Sequence, residues 1–392
     1  MSRTEQIAVI AQKYVDAKKF AGIEWHVEAR GRTLSQGQAG LADVEAKKPI
    51  PQDALYRIYS MTKPIVSMVA LALIEQGKLH LYDPIAAHDS RFGQMRVLMP
   101  NGALVAADRP ITVEDLITHR AGFTYEFITG CHVAKYYQDE EIVSKGSETL
   151  TEMMGRLAKL PLAFHPGSQF RYSVCTDVLA HICERASGKR IDELLKRHIF
   201  DPLGMNDTAY FVPESKRARL MKMYGVADIS ALSPLEPHPH NLTPIDVEDM
   251  YPSSSPEKFQ RGGHGLFCTL ADYRKFARML LDGKAADGTP VLSRKTIEMM
   301  RANRIPPSQL PLRIGIGALA GYGWGLGVRV MTDLGQAQSL TGLGELGWAG
   351  AATTYFWVDP AEEMVGIVMT QYLGSMIPLS DDMRTAAYQM LV

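Results

Sequence analysis

Cysteine is scarce in this chain of 392 residues: Cys131, Cys175, Cys183 and Cys268, with no Cys-x-x-Cys pair and apolar neighbours around each. That excludes a disulfide scaffold and points to reduced core thiols in a cytoplasmic protein. A surplus of either charge is missing too, since 42 Lys and Arg face 43 Asp and Glu. There is therefore no electrostatic footprint for nucleic acid or an anionic membrane surface. No stretch reaches the roughly 18 uninterrupted apolar residues of a membrane span. The start of the chain carries Ile7, Val9, Ile10 and Tyr14 at helical spacing with charges interleaved, which reads as a folded helix and not as an export signal. Internal repeats, low-complexity tracts and a Gly-x-Ser-x-Gly elbow are absent as well. What remains is a chain too long for one ordinary core, 46% apolar, suited to a small neutral or weakly charged ligand.

Strand signals gather at the two ends. Ile23, Trp25 and Val27 alternate with Glu24, His26 and Glu28, and Arg30-Gly31-Arg32 turns that strand into a second one around Leu34 to Gln38. Near the C-terminus Trp324, Leu326, Val328 and Val330 alternate, and Thr353 to Val358 and Met364 to Tyr372 form further runs; Ser380 can cap a last helix. The middle is helical in pattern, at Thr112 to Ile117, Thr149 to Leu160, Val174 to Ser187 and Ile191 to Ile199. The expected fold class is α+β, an antiparallel sheet of five or more strands flanked by helices, with a mostly helical lobe inserted between its halves. Residues 1–84 with 262–392 would form the discontinuous sheet lobe, and 85–261 the helical lobe. Within the latter, about 213–256 is a long irregular excursion of the kind that walls a site.

The stretch with the most chemistry is Ala54 to Leu79. A short buried strand from Leu55 to Tyr59 runs into an apolar helix from Ser60 to about Gln76, which Gly77 stops. Residues three apart share a helix face, so Lys63 comes up beside Ser60. Burial under Ile65, Val66, Met68 and Val69 would disfavour the ammonium form and leave an amine able to take the serine proton. Free N–H groups of the first turn then face whatever Ser60 attacks. The same residues also read more plainly as a helix cap with a lysine reaching solvent.

Two later elements bear on this. Tyr172-Ser173-Val174 precedes a helix, where a tyrosine hydroxyl could shuttle a proton. Leu346 to Ala352 is a small-residue strand whose backbone could approach a substrate closely. Ser60-Met61-Thr62-Lys63, Tyr172-Ser173-Val174 and Trp348-Ala349-Gly350, in that order, resemble the serine β-lactamase-like superfamily, and within it the family VIII carboxylesterases. Leu116 to Gly122, Pro166-Gly167, Pro202 to Met205 and the Gly262 to Leu266 loop support the likeness, which covers nearly the whole chain.

The resemblance implies a β-lactamase/transpeptidase-like fold in which Ser60 is acylated, Lys63 is its base and Tyr172 is the acid/base for the leaving alcohol. It implies an oxyanion hole from the backbone N–H groups of Ser60 and Ala351, a substrate pocket lined by Tyr125, Trp348 and Gly350, and no metal or cofactor. Relatives acting on β-lactams usually carry Lys-Thr-Gly where this chain has Trp348-Ala349-Gly350, and Asn where it has Val174. Losing the lysine removes a partner for a substrate carboxylate, so a neutral, apolar-walled site should prefer uncharged small-molecule esters. An acyltransferase using the same acyl-enzyme and a β-lactamase or D-Ala-D-Ala peptidase are the nearer alternatives. A silent binding protein, a Ser-His-Asp hydrolase using His119 or His264, and a metal-dependent hydrolase built on His238, His240 and Asp246 are the more distant ones.

Overall fold

The computed structural model of the chain describes residues 3–128, 130–226, 241–314 and 317–392. Its frame is an eight-stranded antiparallel sheet. In chain order the strands are β1 (Gly22–Ala29), β2 (Arg32–Asp43), β3 (Lys48–Pro49), β4 (Tyr322–Trp324), β5 (Arg329–Met331), β6 (Leu346–Ala349), β7 (Tyr355–Asp359) and β8 (Met364–Met369). Their order across the sheet is β4-β5-β6-β7-β8-β1-β2-β3, so β8, late in the chain, pairs with β1 near its start. Arg30 (φ 50°) and Gly31 (φ 73°) make the tight turn between β1 and β2, the left-handed pair that matches strand twist.

Helices α1 (Gln6–Asp16), α2 (Thr62–Glu75), α3 (Cys175–Ser187), α4 (Leu270–Asp282) and α5 (Leu379–Tyr388) supply most of the cover. The period-2 pattern sorts the strand side chains between two cores. Tyr355 and Trp357 join Ile7, Ala11, Leu379 and Met383 under α1 and α5, while Phe356 and Val358 join Phe276, Met68 and Val178 on the other face. The polar side of β1 is not solvated, as its alternation suggests. His26 and Glu28 are buried, and Arg274 and Arg278 of α4 reach Glu28 at 2.7 and 2.9 Å. Every residue of α2 from Thr62 to Leu73 is buried, which fits a helix apolar all round.

Several boundaries differ from the sequence pattern. The alternation from Trp324 to Val330 is two short strands and a turn: Gly327 (φ +93°) bends the chain where a β-carbon would lie 2.2 Å from Ser67 Oγ. Ser380 does not cap α5, which starts at Leu379 after Pro378. A hairpin (Arg96–Leu98, Leu104–Ala106) and helices at Ala134–Asp139 and Arg294–Arg301 were not evident from periodicity. Within the 213–256 excursion, regular structure in the described residues amounts to a 3₁₀ turn at Glu214–Arg219 and the pairing of Tyr224–Gly225 with Tyr372–Leu373. The excursion is nonetheless anchored, because Glu248 pairs with buried Arg57 and accepts from Ser253 N–H and Oγ–H at 2.8 and 2.9 Å. No helix among the described residues is long and apolar enough to cross a membrane.

At the sheet's far end, fully buried Glu345 holds Arg329 at 3.1 Å and Arg384 at 2.8 Å. Glu345→Ala would strand the buried guanidinium of Arg329 and leave Arg384 only Asp381, at 3.1 Å, as a carboxylate partner. It should lower the unfolding free energy by about 3–5 kcal/mol, read as a shift of the urea midpoint; a loss below about 1 kcal/mol, the scale of an exposed pair, would contradict that role.

Candidate active site

The strand Tyr56–Arg57 pairs with Phe267–Cys268 and then turns sharply, with Tyr59 in the left-handed region (φ 43°). That elbow sets Ser60 on a 3₁₀ turn immediately before α2. Lys63 does not reach solvent: it is fully buried. Its Nζ donates to Ser60 Oγ at 3.1 Å and to the Gly263 carbonyl at 2.7 Å. The ammonium lies 4.6 Å from the Tyr172 ring centroid and 5.3 Å from that of Tyr125. Burial pushes the lysine down from 10.5 to about 7, with Asp177 and Cys175 opposing the fall. Near neutral pH a large share of Lys63 is then free amine, which can accept the Ser60 proton.

Tyr172 sits just before α3. Its hydroxyl is within hydrogen-bonding reach of the Ser60 side chain and accepts from Trp348 Nε1–H at 3.1 Å. Burial holds this phenol well above its ordinary value, so Tyr172 is a proton donor at neutral pH, not a phenolate. His119, whose ring lies 4.9 Å from that of Tyr172, is buried and held well below its usual range by burial and by Lys63. It serves as packing beside the tyrosine.

Ser60 opens into a pocket of about 410 Å³ walled by Tyr59, Tyr125, Phe127, Met250, Tyr251 and Leu373. Ala351 lines it, and its N–H donates to no acceptor among the described residues. Trp348, which the resemblance puts on the pocket wall, is instead buried behind Tyr172 and packed edge-on against Trp324 at 4.5 Å. Gly350 is also absent from the lining. A β-carbon there would lie 2.4 Å from the Ile58 carbonyl, so its smallness lets the end of β6 close onto the segment that carries Ser60. The lining is not neutral, because Glu126 and Glu141 belong to it.

Sequence patterns missed Asp177 and undervalued His264. Asp177 is fully buried on the first turn of α3; its Oδ1 accepts from Gly263 N–H at 2.9 Å, while Oδ2 has no partner among the described residues. An acid within the apolar stretch from Val174 to Cys183 was the available signal. Gly263 thus links the two charges, donating to Asp177 and accepting from Lys63. His264, on the loop before Phe267–Cys268, is buried and faces the pocket beside Phe259, ring centroids 5.1 Å apart. Asp246 is exposed, and His238 and His240 lie outside the described residues.

The Beta-lactamase family model matches residues 7–389. The chain belongs to this family. Protein Rv1367c of Mycobacterium tuberculosis is 32% identical over 365 residues, covering 91% of this chain and 87% of its own length. Esterase EstB of Burkholderia gladioli is 29% identical over 391 residues, covering 95% and 91%. Among solved structures, EstCE1, described as a hydrolase with promiscuous acyltransferase activity, superposes with a TM-score of 0.83 at 22% identity over 98% of both chains. The fold is that of the β-lactamase-like serine hydrolases, a family that includes esterases and acyltransferases.

Asp177→Asn keeps an acceptor for Gly263 N–H and removes the negative charge that opposes the burial of Lys63. The lysine pKa should fall further, and the acid limb of the rate of Ser60 labelling by a fluorophosphonate should move to lower pH by about one unit. An unchanged profile would show that Asp177 carries no charge felt by the lysine.

Proposed function

We propose that the chain hydrolyses small carboxylic esters through an acyl-enzyme on Ser60. The observation that carries this reading is a fully buried Lys63 with Nζ 3.1 Å from Ser60 Oγ. The neutral amine takes the hydroxyl proton as Oγ adds to the ester carbonyl. The backbone N–H groups of Ser60 and Ala351 hold the oxyanion. Tyr172 gives its proton to the leaving alkoxide as the carbon–oxygen bond breaks, and Lys63 passes the proton it took to the tyrosine. In the second half, water gives a proton to the same pair as it attacks the acyl carbonyl, and the pair returns that proton to Ser60 Oγ as the Oγ–acyl bond breaks, freeing the acid and Ser60. Neither metal nor cofactor has a step in this sequence.

Similarity to the protein named Esterase EstB, at 29% identity, supports ester cleavage. The pocket lining supports the same reading, since no lysine or arginine belongs to it to hold the carboxylate of a β-lactam or peptide substrate. Acyl transfer to an alcohol is the second reading. It is favoured by a pocket of about 410 Å³, wide enough for an acceptor, and by the description of EstCE1. Water and alcohol compete for one acyl-enzyme, so the chemistry on Ser60 is shared.

Ser60→Ala should abolish turnover of p-nitrophenyl acetate while leaving the thermal melt in place. Lys63→Ala and Tyr172→Phe should each lower kcat by about 10²-fold or more. Full activity in Ser60→Ala would overturn the reading. Adding a primary alcohol separates the two outcomes, because transfer yields a new ester and hydrolysis only the acid.

A further inference from the structure

We propose that the pocket above Ser60 selects esters that carry a positively charged ammonium group. The proposal rests on the ester-hydrolase reading and names its substrate class.

The pocket's polar lining is one-sided. Glu126 and Glu141 belong to it, and no lysine or arginine does. Two of the nearby cations are already engaged. Lys63 is buried beneath Ser60 and tempered toward its neutral form, and Arg57, stacked near Tyr251, is ion-paired with Glu248. His264 is 8% exposed, lines the pocket and has no hydrogen-bond partner among the described residues. Burial, Lys63 and Arg261 hold it well below its usual range. It therefore adds a neutral ring with one acceptor nitrogen and no positive charge.

The walls suit a cation as well. Tyr59 and Tyr251 meet at 4.7 Å between ring centroids, and Tyr125 and Phe127 stack at 4.8 Å. Aromatic faces attract an ammonium through the ring quadrupole, more so when water is excluded.

The rim is acidic on balance. The segment 138–146 holds Asp139, Glu140 and Glu141 against one exposed lysine, Lys145, and the segment 246–250 holds Asp246, Glu248 and Asp249. The two touch: a β-carbon on Gly146 would lie 2.2 Å from the Asp249 carbonyl oxygen. Asp139 is paired with Lys135 and Glu140 with Arg156. Glu141, Asp246 and Asp249 have no ion pair among the described residues. An acidic mouth with low-dielectric walls concentrates cations at the nucleophile and repels carboxylates.

The test compares kcat/KM of the full chain on two matched pairs of esters. One pair is acetylcholine and its uncharged tert-butyl isostere, with the charge on the alcohol. The other is nitrophenyl γ-trimethylammoniobutyrate and its tert-butyl isostere, with the charge on the acyl group. In one pair at least, the cationic ester should be favoured by about tenfold or more. That ratio should shrink as NaCl rises from about 0.02 to about 0.5 M, and it should collapse in the Glu126→Gln/Glu141→Gln double variant. The salt dependence of the unaltered protein stands even if the double variant folds poorly. Hydrolysis of both uncharged esters with no cation preference in either pair would overturn the substrate class and leave the esterase reading intact. No hydrolysis of any of the four, nor of p-nitrophenyl acetate, would overturn both.

Discussion

The site depends on one act of burial, an amine sealed under the sheet beside a serine hydroxyl. Bringing Lys63 from 10.5 to about 7 corresponds to a penalty of about 5 kcal/mol on its ammonium form. Between those values the native chain binds fewer protons than the unfolded one, so this contribution to stability rises with pH. The cost is complete below about 7 and gone above 10.5. A lysine placed for stability alone would snorkel to water. Here α2 is buried over its whole first half, and the sheet, α3 and the 263–268 segment close around it, so the amine has nowhere to go.

Other features hold that amine in register. The Gly263 peptide donates to Asp177 and accepts from Lys63, coupling the first turn of α3 to the first turn of α2. Trp348 fixes the Tyr172 hydroxyl from behind, with Trp324 and His119 packed around the rings. Of the nine non-glycine residues in the left-handed region among the described residues, Tyr59, His119, Glu141, Phe259 and Thr353 lie on segments that deliver or support site residues, while Lys18, Arg30, Lys47 and Glu363 lie elsewhere. Strain of that kind persists where surrounding packing over-determines the backbone.

The parts of this arrangement that were legible in the sequence are those with short-range signatures. The spacing of Ser60 and Lys63, the apolar run after them, the Gly77 stop and the alternation in β1 all follow from helix and strand periods. The capping box at Thr112 and Asp115 is present as its residue pattern suggests. Features set by distant contacts were not legible. The polar face of β1 looked solvated because the arginines that cover it lie on α4. The resemblance put Trp348 on the pocket wall, and nothing local says that Tyr172 will stand in front of it. Nothing local marks Glu126 and Glu141 as residues that line the pocket beside Ser60, and Asp177 meets Gly263 only through the fold.

The most direct test of the central claim is intact-protein mass spectrometry after rapid mixing with p-nitrophenyl acetate, with peptide mapping of the adduct. The account predicts a transient acetyl group on Ser60 that forms and clears within the catalytic cycle. An adduct mapping to another residue, or turnover with no adduct on Ser60 under quench, would contradict it.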